Sequence, residues 1–171
     1  YDLLDGLRTI QAGGQTVLNA TSDSIKWASP PGRFEGGLGN FAGMIGTGAA
    51  VDYLSNIDLN EVNKHEIRLN QIMTDGIKDL PGIEIIGPLD ARKRGGICSV
   101  LMGDIPVHDI SILLDEAAGV MVRSGQHCVH SWFNSRGHPN GSLRASAYLY
   151  NTEEEARLFV DIFSEAVHAF S

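Results

Sequence analysis

The sequence has little positive charge, few cysteines and no long apolar run. Its 171 residues carry 13 lysines and arginines against 21 aspartates and glutamates, which gives a formal net charge of -8. The basic residues form no cluster, so the chain lacks the electrostatic footprint of a protein that binds nucleic acid or an anionic membrane. No apolar stretch approaches the ~20 residues that span a bilayer, and none resembles a signal peptide. A small molecule or another protein is the favoured partner.

The two cysteines, Cys98 and Cys128, are too few for a disulfide framework. We therefore expect free thiols and a cytoplasmic location. The chain begins at Tyr1 without a methionine, which predicts a fragment of a longer protein, with a natural short protein as the alternative.

The composition divides the chain near Gly36. Residues 8–40 are rich in glycine, serine, threonine, asparagine and proline, and we assign residues 1–40 to an arm. Residues 41–171 carry sustained helical and strand periodicity. Because 43% of the residues are hydrophobic, the chain can bury one core but hardly two. We therefore predict an arm followed by one domain.

Helical spacing of apolar residues recurs in four segments of the second part. Asp58 is placed to cap one helix, with Glu61 three positions later. Thr152 and Glu155 form the pattern of a capping box before the last helix. The predicted helices cover residues 41–57, 59–80, 107–118 and the segment after Thr152.

Short strand patterns lie between these helices, with an irregular loop over residues 124–142. This order of elements predicts an α+β fold, in which helices cover one face of a mainly antiparallel sheet. The predicted strands are residues 83–86, 97–102, 120–123 and 143–149.

The reactive side chains concentrate around Cys128, where a strand runs into the irregular loop. A thiol on an exposed loop near His127 and Arg123 is suited to nucleophilic chemistry, because nearby cations favour the reactive thiolate. A lone cysteine is nevertheless more often a packing residue. Cys98 lies in an apolar strand, and we assign it to the core.

The residues around Cys128 also allow two other hypotheses. Cys128 with His127 and His130 could bind a metal, although no second Cys/His cluster has the usual spacing. A Cys-His hydrolase would need His108 or His138 as its base. Neither alternative is excluded by the residues alone.

An arginine lies in an otherwise apolar strand, at Arg144. Such a guanidinium must find a partner or water. It forms either an internal ion pair or a bidentate clamp for a substrate carboxylate.

Three blocks carry a resemblance to a known family. They are Val122-Arg-Ser-Gly-Gln-His-Cys128, Ser142-Leu-Arg-Ala-Ser146 with Tyr148-Leu-Tyr-Asn-Thr-Glu-Glu-Glu155, and Arg33-Phe-Glu-Gly-Gly37. In order and spacing they resemble the SUF-type cysteine desulfurases, which belong to the fold-type I, class V aminotransferase superfamily. The resemblance covers essentially the whole chain. It implies the small C-terminal domain of such an enzyme, preceded by an arm from the large domain.

The resemblance also implies roles for four residues of the site. Cys128 matches the cysteine that takes sulfur from L-cysteine and becomes a persulfide, with alanine as the other product. Arg144 matches the arginine that binds the substrate carboxylate. Arg123 and His127 match residues that flank and tune the reactive cysteine. The implied cofactor is pyridoxal 5'-phosphate (PLP), and the implied sulfur acceptor is a protein of iron–sulfur cluster assembly.

Residues 8–32 resemble a hairpin that reaches the neighbouring subunit of a homodimer. The next segment, Gly36-Gly-Leu-Gly-Asn40, departs from the family's G-T-P-N pattern and lacks the hydroxyl that contacts the cofactor phosphate across the dimer. We expect the phosphate contact at Gly37 and Leu38, through backbone amides such as those of Gly37 and Gly39.

The family lysine that binds PLP covalently has no counterpart here, because the four lysines lack its Ser-Gly-His-Lys context. The chain alone should therefore be inactive. Gln126 stands where one subgroup has a second histidine, which leaves open a preference for selenocysteine, as in a selenocysteine lyase. A noncatalytic sulfur carrier or scaffold is the alternative from another class. The four lysines are Lys26, Lys64, Lys78 and Lys93.

Overall fold

The computed structural model describes residues 2–170 and has two units that pack internally, Tyr1–Asn56 and Ile57–Ser171. The predicted boundary after residue 40 differs from this division by one helix, which belongs to the first unit. The assignment of the units to the domains of a longer enzyme stays a prediction. Within residues 2–170, no helix has the length and apolar character that crossing a membrane requires.

The first unit contains a hairpin and a long helix. The hairpin is antiparallel and lies in the segment where the resemblance implied one. The guanidinium of Arg33 donates hydrogen bonds to the carbonyl oxygens of Leu4, Asp5 and Leu7, so it satisfies acceptors at the end of the first helix. The elements are α1 Asp2–Asp5, β1 Val17–Ala20, β2 Ile25–Trp27, a 3-10 turn Gly32–Phe34 and α2 Phe41–Ser55.

Two helices of the second unit begin where the capping residues predicted. The Asp58 carboxylate accepts a hydrogen bond from the amide of Asn60, and Thr152 and Glu155 form the complete capping box. The first of these helices ends three residues before the predicted end. The helices are α3 Leu59–Ile77, α4 Val107–Ala118, α5 His130–Ser135 and α6 Glu153–Ala169, with a 3-10 turn at Ala91–Lys93.

The second unit has one four-stranded sheet, in which every neighbouring pair is antiparallel. The spatial order of its strands is β3-β4-β6-β5. The predicted mainly antiparallel sheet is therefore confirmed. The strands are β3 Glu84–Ile85, β4 Ile97–Leu101, β5 Arg123–Gly125 and β6 Ser142–Ser146.

The strands predicted over 83–86 and 97–102 are each one residue shorter at an end or at both ends, and the other two strand predictions were wrong by more than that. The strand expected over residues 120–123 begins only at Arg123, where pairing with β6 starts. The strand expected over residues 143–149 starts one residue earlier and ends at Ser146. It ends there because the chain turns, and the amide of Tyr148 donates to the side-chain oxygen of Asn151 at 2.9 Å.

The predicted irregular loop over residues 124–142 was also wrong in part, because it contains α5. The amides of Trp132 and Phe133 both donate to the carbonyl of Val129, which starts this helix. Phe133 is buried and anchors it. A single buried aromatic gives no helical period to recognise in the sequence.

The core of the second unit lies between the sheet and three helices. α6 packs against both α3 and α4, while α3 contacts β4 and α4 contacts β6. Burying each large apolar side chain contributes roughly 1.5–3 kcal/mol. The largest fully buried apolar side chains are Leu69, Ile77, Ile110, Leu114, Leu143 and Phe163. The predicted α+β arrangement, with helices on one face, is confirmed.

The close approach of α3 and α6 at Gly76 gives a first test. A Cβ atom at Gly76 would overlap both methyl groups of Val160. We therefore expect Gly76→Ala to lower the free energy of unfolding by ~1–3 kcal/mol, although alanine is the better helix former by ~1 kcal/mol. Urea unfolding measures the change.

The same overlap defines the controls. In a chain that also carries Val160→Ala, the methyl groups are gone and Gly76→Ala should no longer destabilise. Gly95→Ala adds a methyl group where no atom lies within 4 Å, and should leave the stability nearly unchanged. Stabilisation by Gly76→Ala with Val160 present would contradict the predicted overlap.

Candidate active site

The open face of the sheet is the face opposite the helices, and it carries the predicted carboxylate clamp. Leu143 and Ala145 of β6 are buried in the core, so Arg144 between them points to the other side. Arg144 is the register partner of Ser99 on β4 and of Arg123 on β5. Two guanidinium groups are therefore cross-strand neighbours.

This pair of arginines has no acidic partner. Within the part of the chain that the structure describes, neither Arg144 nor Arg123 forms a salt bridge with a carboxylate. The Nε atom of Arg144 is buried without a hydrogen-bond partner. Like charges directly opposite on a sheet repel each other. The internal ion pair considered for Arg144 is absent from the described residues, and the pair is arranged to bind an anion.

The thiol loop, residues 126–129, connects β5 to α5 and has a strained backbone. His127 and Cys128 have φ angles of 48° and 62°, so two consecutive residues with side chains adopt the left-handed conformation. Such residues cost roughly 1–3 kcal/mol each and persist only where surrounding contacts fix them. Strain of this kind is typical of functional sites.

Side-chain hydrogen bonds fix the start of the thiol loop. The side-chain amide of Gln126 donates to the side-chain oxygen of Asn134 at 3.0 Å and to the backbone carbonyl of Pro139 at 2.8 Å. The amide of Val129 donates to the Gln126 carbonyl at 2.9 Å. Gln126 therefore ties the loop to α5 and to the segment before β6.

His127 belongs to the thiol loop, and its side chain contacts β6. Its Nε2 atom is 3.0 Å from the hydroxyl of Ser142, and its buried Nδ1 has no hydrogen-bond partner. Burial lowers the pKa of His127 below its ordinary value of 6.5, and the positive charges of Arg144 and Arg123 lower it further. At neutral pH these effects favour the neutral imidazole.

The two cysteines have opposite environments. Cys128 is exposed on the thiol loop, as predicted. Cys98 is only 1% exposed, and burial raises the pKa of this thiol. The assignment of Cys98 to the core is confirmed.

The two alternatives for the loop find no support in the geometry. Within residues 2–170, no three His, Cys, Asp or Glu side chains are grouped so that they could hold a metal ion. His108 Nδ1 lies 3.2 Å from the Ser124 hydroxyl. Among the described hydrogen bonds, none joins His108 or His138 to Cys128.

The predicted phosphate-binding segment lies in the first unit, and one of its donors is already used. The amide of Gly37 donates to the carbonyl of Gly14 at 2.9 Å. Leu38 is 86% exposed, and Asn40 caps α2 through the amide of Gly43. The Gly37 amide already has an acceptor within the chain, so it is a poor candidate for the phosphate contact. The phosphate contact at Leu38 stays a prediction.

The four lysines lie on elements other than the thiol loop, β5 and β6. Lys64 and Lys78 are on or at the end of α3, where they form ion pairs with neighbouring acids. Lys93 ends the 3-10 turn before β4, and Lys26 lies on β2.

The sequence does not predict the contact that Ser142 makes. Ser142 begins one of the motifs, yet it is fully buried and contacts His127. Its spacing of two residues from Arg144 is the one signal that could have placed both on the same face. The contact with His127 is not visible in the sequence.

Comparisons with known proteins give a family and a set of relatives. The model of the family described as aminotransferase class V matches residues 1–159. A probable cysteine desulfurase of Methanothermobacter thermautotrophicus is 34% identical over 96% of this chain and 41% of its own length. One of Streptomyces coelicolor is 36% identical over 94% of this chain and 38% of its own length.

Solved structures agree with this similarity. The apo cysteine desulfurase of Thermococcus onnurineus NA1 matches with a TM-score of 0.88 and 32% identity, over 98% of this chain and 41% of that one. The cysteine desulfurase CsdA of Escherichia coli, with S-sulfonic acid, matches with a TM-score of 0.87 and 27% identity over the same shares. The chain spans about two fifths of the length of the relatives it matches.

The charge state of His127 gives a second test. We expect an NMR titration to place the pKa of His127 below 6.5. Replacing Arg144 by glutamine should raise this pKa because one neighbouring positive charge is lost, whereas Arg144→Lys should leave it low. The signal is assigned by its loss in His127→Gln. A pKa above 6.5 in the unaltered protein would show that the imidazole is not held neutral.

The direction of the pH effect on stability follows from the same shift. Because the pKa of His127 is lower in the folded chain, the unfolded chain binds this proton more tightly. Stability is therefore lost as the pH falls from 6.5 to the pKa of folded His127, and rising pH restores it.

Proposed function

Because the chain belongs to the aminotransferase class V family, we propose that the complete protein carrying it is a PLP-dependent cysteine desulfurase. The relatives named above as cysteine desulfurases support this choice within the family. One observation carries it: Arg123 on β5 and Arg144 on β6 are cross-strand partners beside the loop that presents Cys128, and neither has an acidic partner among the described residues. Such a site can hold an amino-acid carboxylate beside a nucleophilic thiol.

Arg144 binds the carboxylate of L-cysteine in this proposal. Its planar guanidinium can donate two parallel hydrogen bonds to a carboxylate, and Arg123 adds a second positive charge. The unpartnered Nε of Arg144 is a donor ready for this ligand. Binding the carboxylate also removes the repulsion between the two guanidinium groups.

Cys128 accepts the sulfur. Its thiolate attacks the sulfur of the bound cysteine, an S–S bond forms, and the C–S bond breaks. The electron pair of the C–S bond goes to the substrate carbon, which takes up a proton and leaves as alanine. Cys128 is left as a persulfide. PLP, when bound, supplies the electron sink that this bond cleavage needs.

The remaining parts of the machinery belong to the complete protein. The lysine that binds PLP lies outside these 171 residues in this proposal, since the four lysines of the chain lie elsewhere. A homodimer, in which the hairpin of β1 and β2 reaches the neighbouring subunit, is proposed from the family resemblance. The same holds for a sulfur acceptor of iron–sulfur cluster assembly. A cytoplasmic location is proposed from the small number of cysteines.

Replacement of the reactive thiol tests the proposal directly. In the complete PLP-loaded protein, we expect Cys128→Ser to abolish persulfide formation, because serine cannot accept the sulfur. Mass spectrometry of the protein and an alanine assay measure the two products. Cys98→Ala removes the other, buried thiol and should retain both. Alanine production that survives in Cys128→Ser would exclude Cys128 as the acceptor.

Replacement of the proposed clamp tests substrate binding. Arg144→Gln should raise the KM for cysteine by roughly 10- to 150-fold, which corresponds to the ~1.5–3 kcal/mol of a charged hydrogen bond. The matched control is Arg92→Gln, which removes an exposed arginine paired with Asp90 outside the site. Steady-state kinetics give both values. An unchanged KM in Arg144→Gln would leave Arg144 a structural role only.

A further inference from the structure

Ser142 is a fully buried polar residue that joins the thiol loop to the strand of the clamp. Its hydroxyl lies 3.0 Å from Nε2 of His127, and it stands two residues before Arg144 on β6. The residues of the thiol and of the clamp belong to different segments. Ser142 is a point where the two segments are in direct contact.

The backbone beside Ser142 shows that this contact is close. Gly141 is buried, and a Cβ atom there would overlap the backbone of Gly125 and come within 2.7 Å of the backbone nitrogen of Gln126. Only glycine fits at this approach of β6 to the start of the loop. The start of the thiol loop therefore lies directly against the chain at Gly141 and Ser142.

The strained part of the loop needs such a fixed contact. His127 and Cys128 both adopt left-handed backbone conformations, which relax unless contacts hold them. Gln126 holds the preceding residue through α5 and Pro139. The hydrogen bond between Ser142 and His127 holds the strained residue next to Cys128.

We propose that Ser142 is a positioning residue for sulfur transfer, which acts through His127 to place the Cys128 thiol relative to a carboxylate held at Arg144. This inference rests on the proposed function and deepens it. Arg144 itself is fixed by ladder pairing with both β4 and β5, which does not need the Ser142 hydroxyl. Loss of the hydroxyl should therefore misplace the thiol and leave substrate binding intact.

The neutral state of His127 fits this role. A neutral imidazole can either accept from or donate to a hydroxyl group, depending on its tautomer. Burial and the two arginines keep the imidazole neutral, so its bond with Ser142 is available at neutral pH.

The test compares Ser142→Ala with Ser142→Thr in the complete PLP-loaded protein. Ser142→Ala should slow persulfide formation at saturating cysteine by roughly fivefold, as expected for one lost neutral hydrogen bond. The KM for cysteine should stay within about twofold. Ser142→Thr keeps a hydroxyl and should restore the rate. Ser164→Ala removes a serine hydroxyl from α6 that donates to a backbone carbonyl, and should change neither value.

A second measurement does not depend on activity. In the protein without PLP, the imidazole nitrogen signals of His127 should shift in Ser142→Ala and return in Ser142→Thr, because the tautomer is set by the hydrogen bond. If Ser142→Ala does not fold, His127→Gln tests the same link, and should slow persulfide formation while the KM stays unchanged.

The outcomes separate the inference from the proposed function. An unaltered protein that forms no persulfide from cysteine overturns both. An active unaltered protein in which Ser142→Ala keeps the full rate overturns only the role of Ser142. A KM that rises while the rate is unchanged also overturns it, because Ser142 would then act on binding. A slower rate with an unchanged KM supports it.

Discussion

The alternation of β6 is the constraint on which both the core and the site depend. Leu143 and Ala145 lie in the core because their apolar side chains leave water there. Since successive side chains of a strand point to opposite faces, Ser142 and Arg144 must lie on the face opposite the helices. A slip by one residue would put the guanidinium into the core, where it would lack water and a partner. The burial that stabilises the second unit therefore also sets the direction of the Arg144 side chain.

Local patterns predicted the parts of the fold that local physics determines. The helix 107–118 was predicted at its observed bounds, and the capping box of Thr152 formed because both of its hydrogen bonds lie within one turn. The bounds of β5 were wrong because a strand exists only where its partner pairs with it, and that register depends on β6. The helix α5 was missed because it depends on the burial of Phe133 rather than on a repeated apolar pattern.

The candidate site shows the same division. The motif residues Cys128, Arg144 and His127 could be named from the sequence, because their types and spacing resemble a family. Their links could not, since the pairing of Arg123 with Arg144 and the contact of His127 with Ser142 join residues 15 or more positions apart. The hydrogen bond from the Gly37 amide to the Gly14 carbonyl could not be predicted either, because these two residues are also far apart in the sequence.

The charges of the site argue for a division of labour between its cations. Two arginines, which stay charged at any physiological pH, supply the attraction for a carboxylate. A protonated His127 would add a third positive charge beside them, and the repulsion would favour release of the proton. The neutral imidazole instead forms a hydrogen bond through its Nε2 with Ser142, and we propose that this bond holds the strained loop in place. In the proposed function, charge therefore binds the ligand, while the hydrogen bond between His127 and Ser142 positions the thiol.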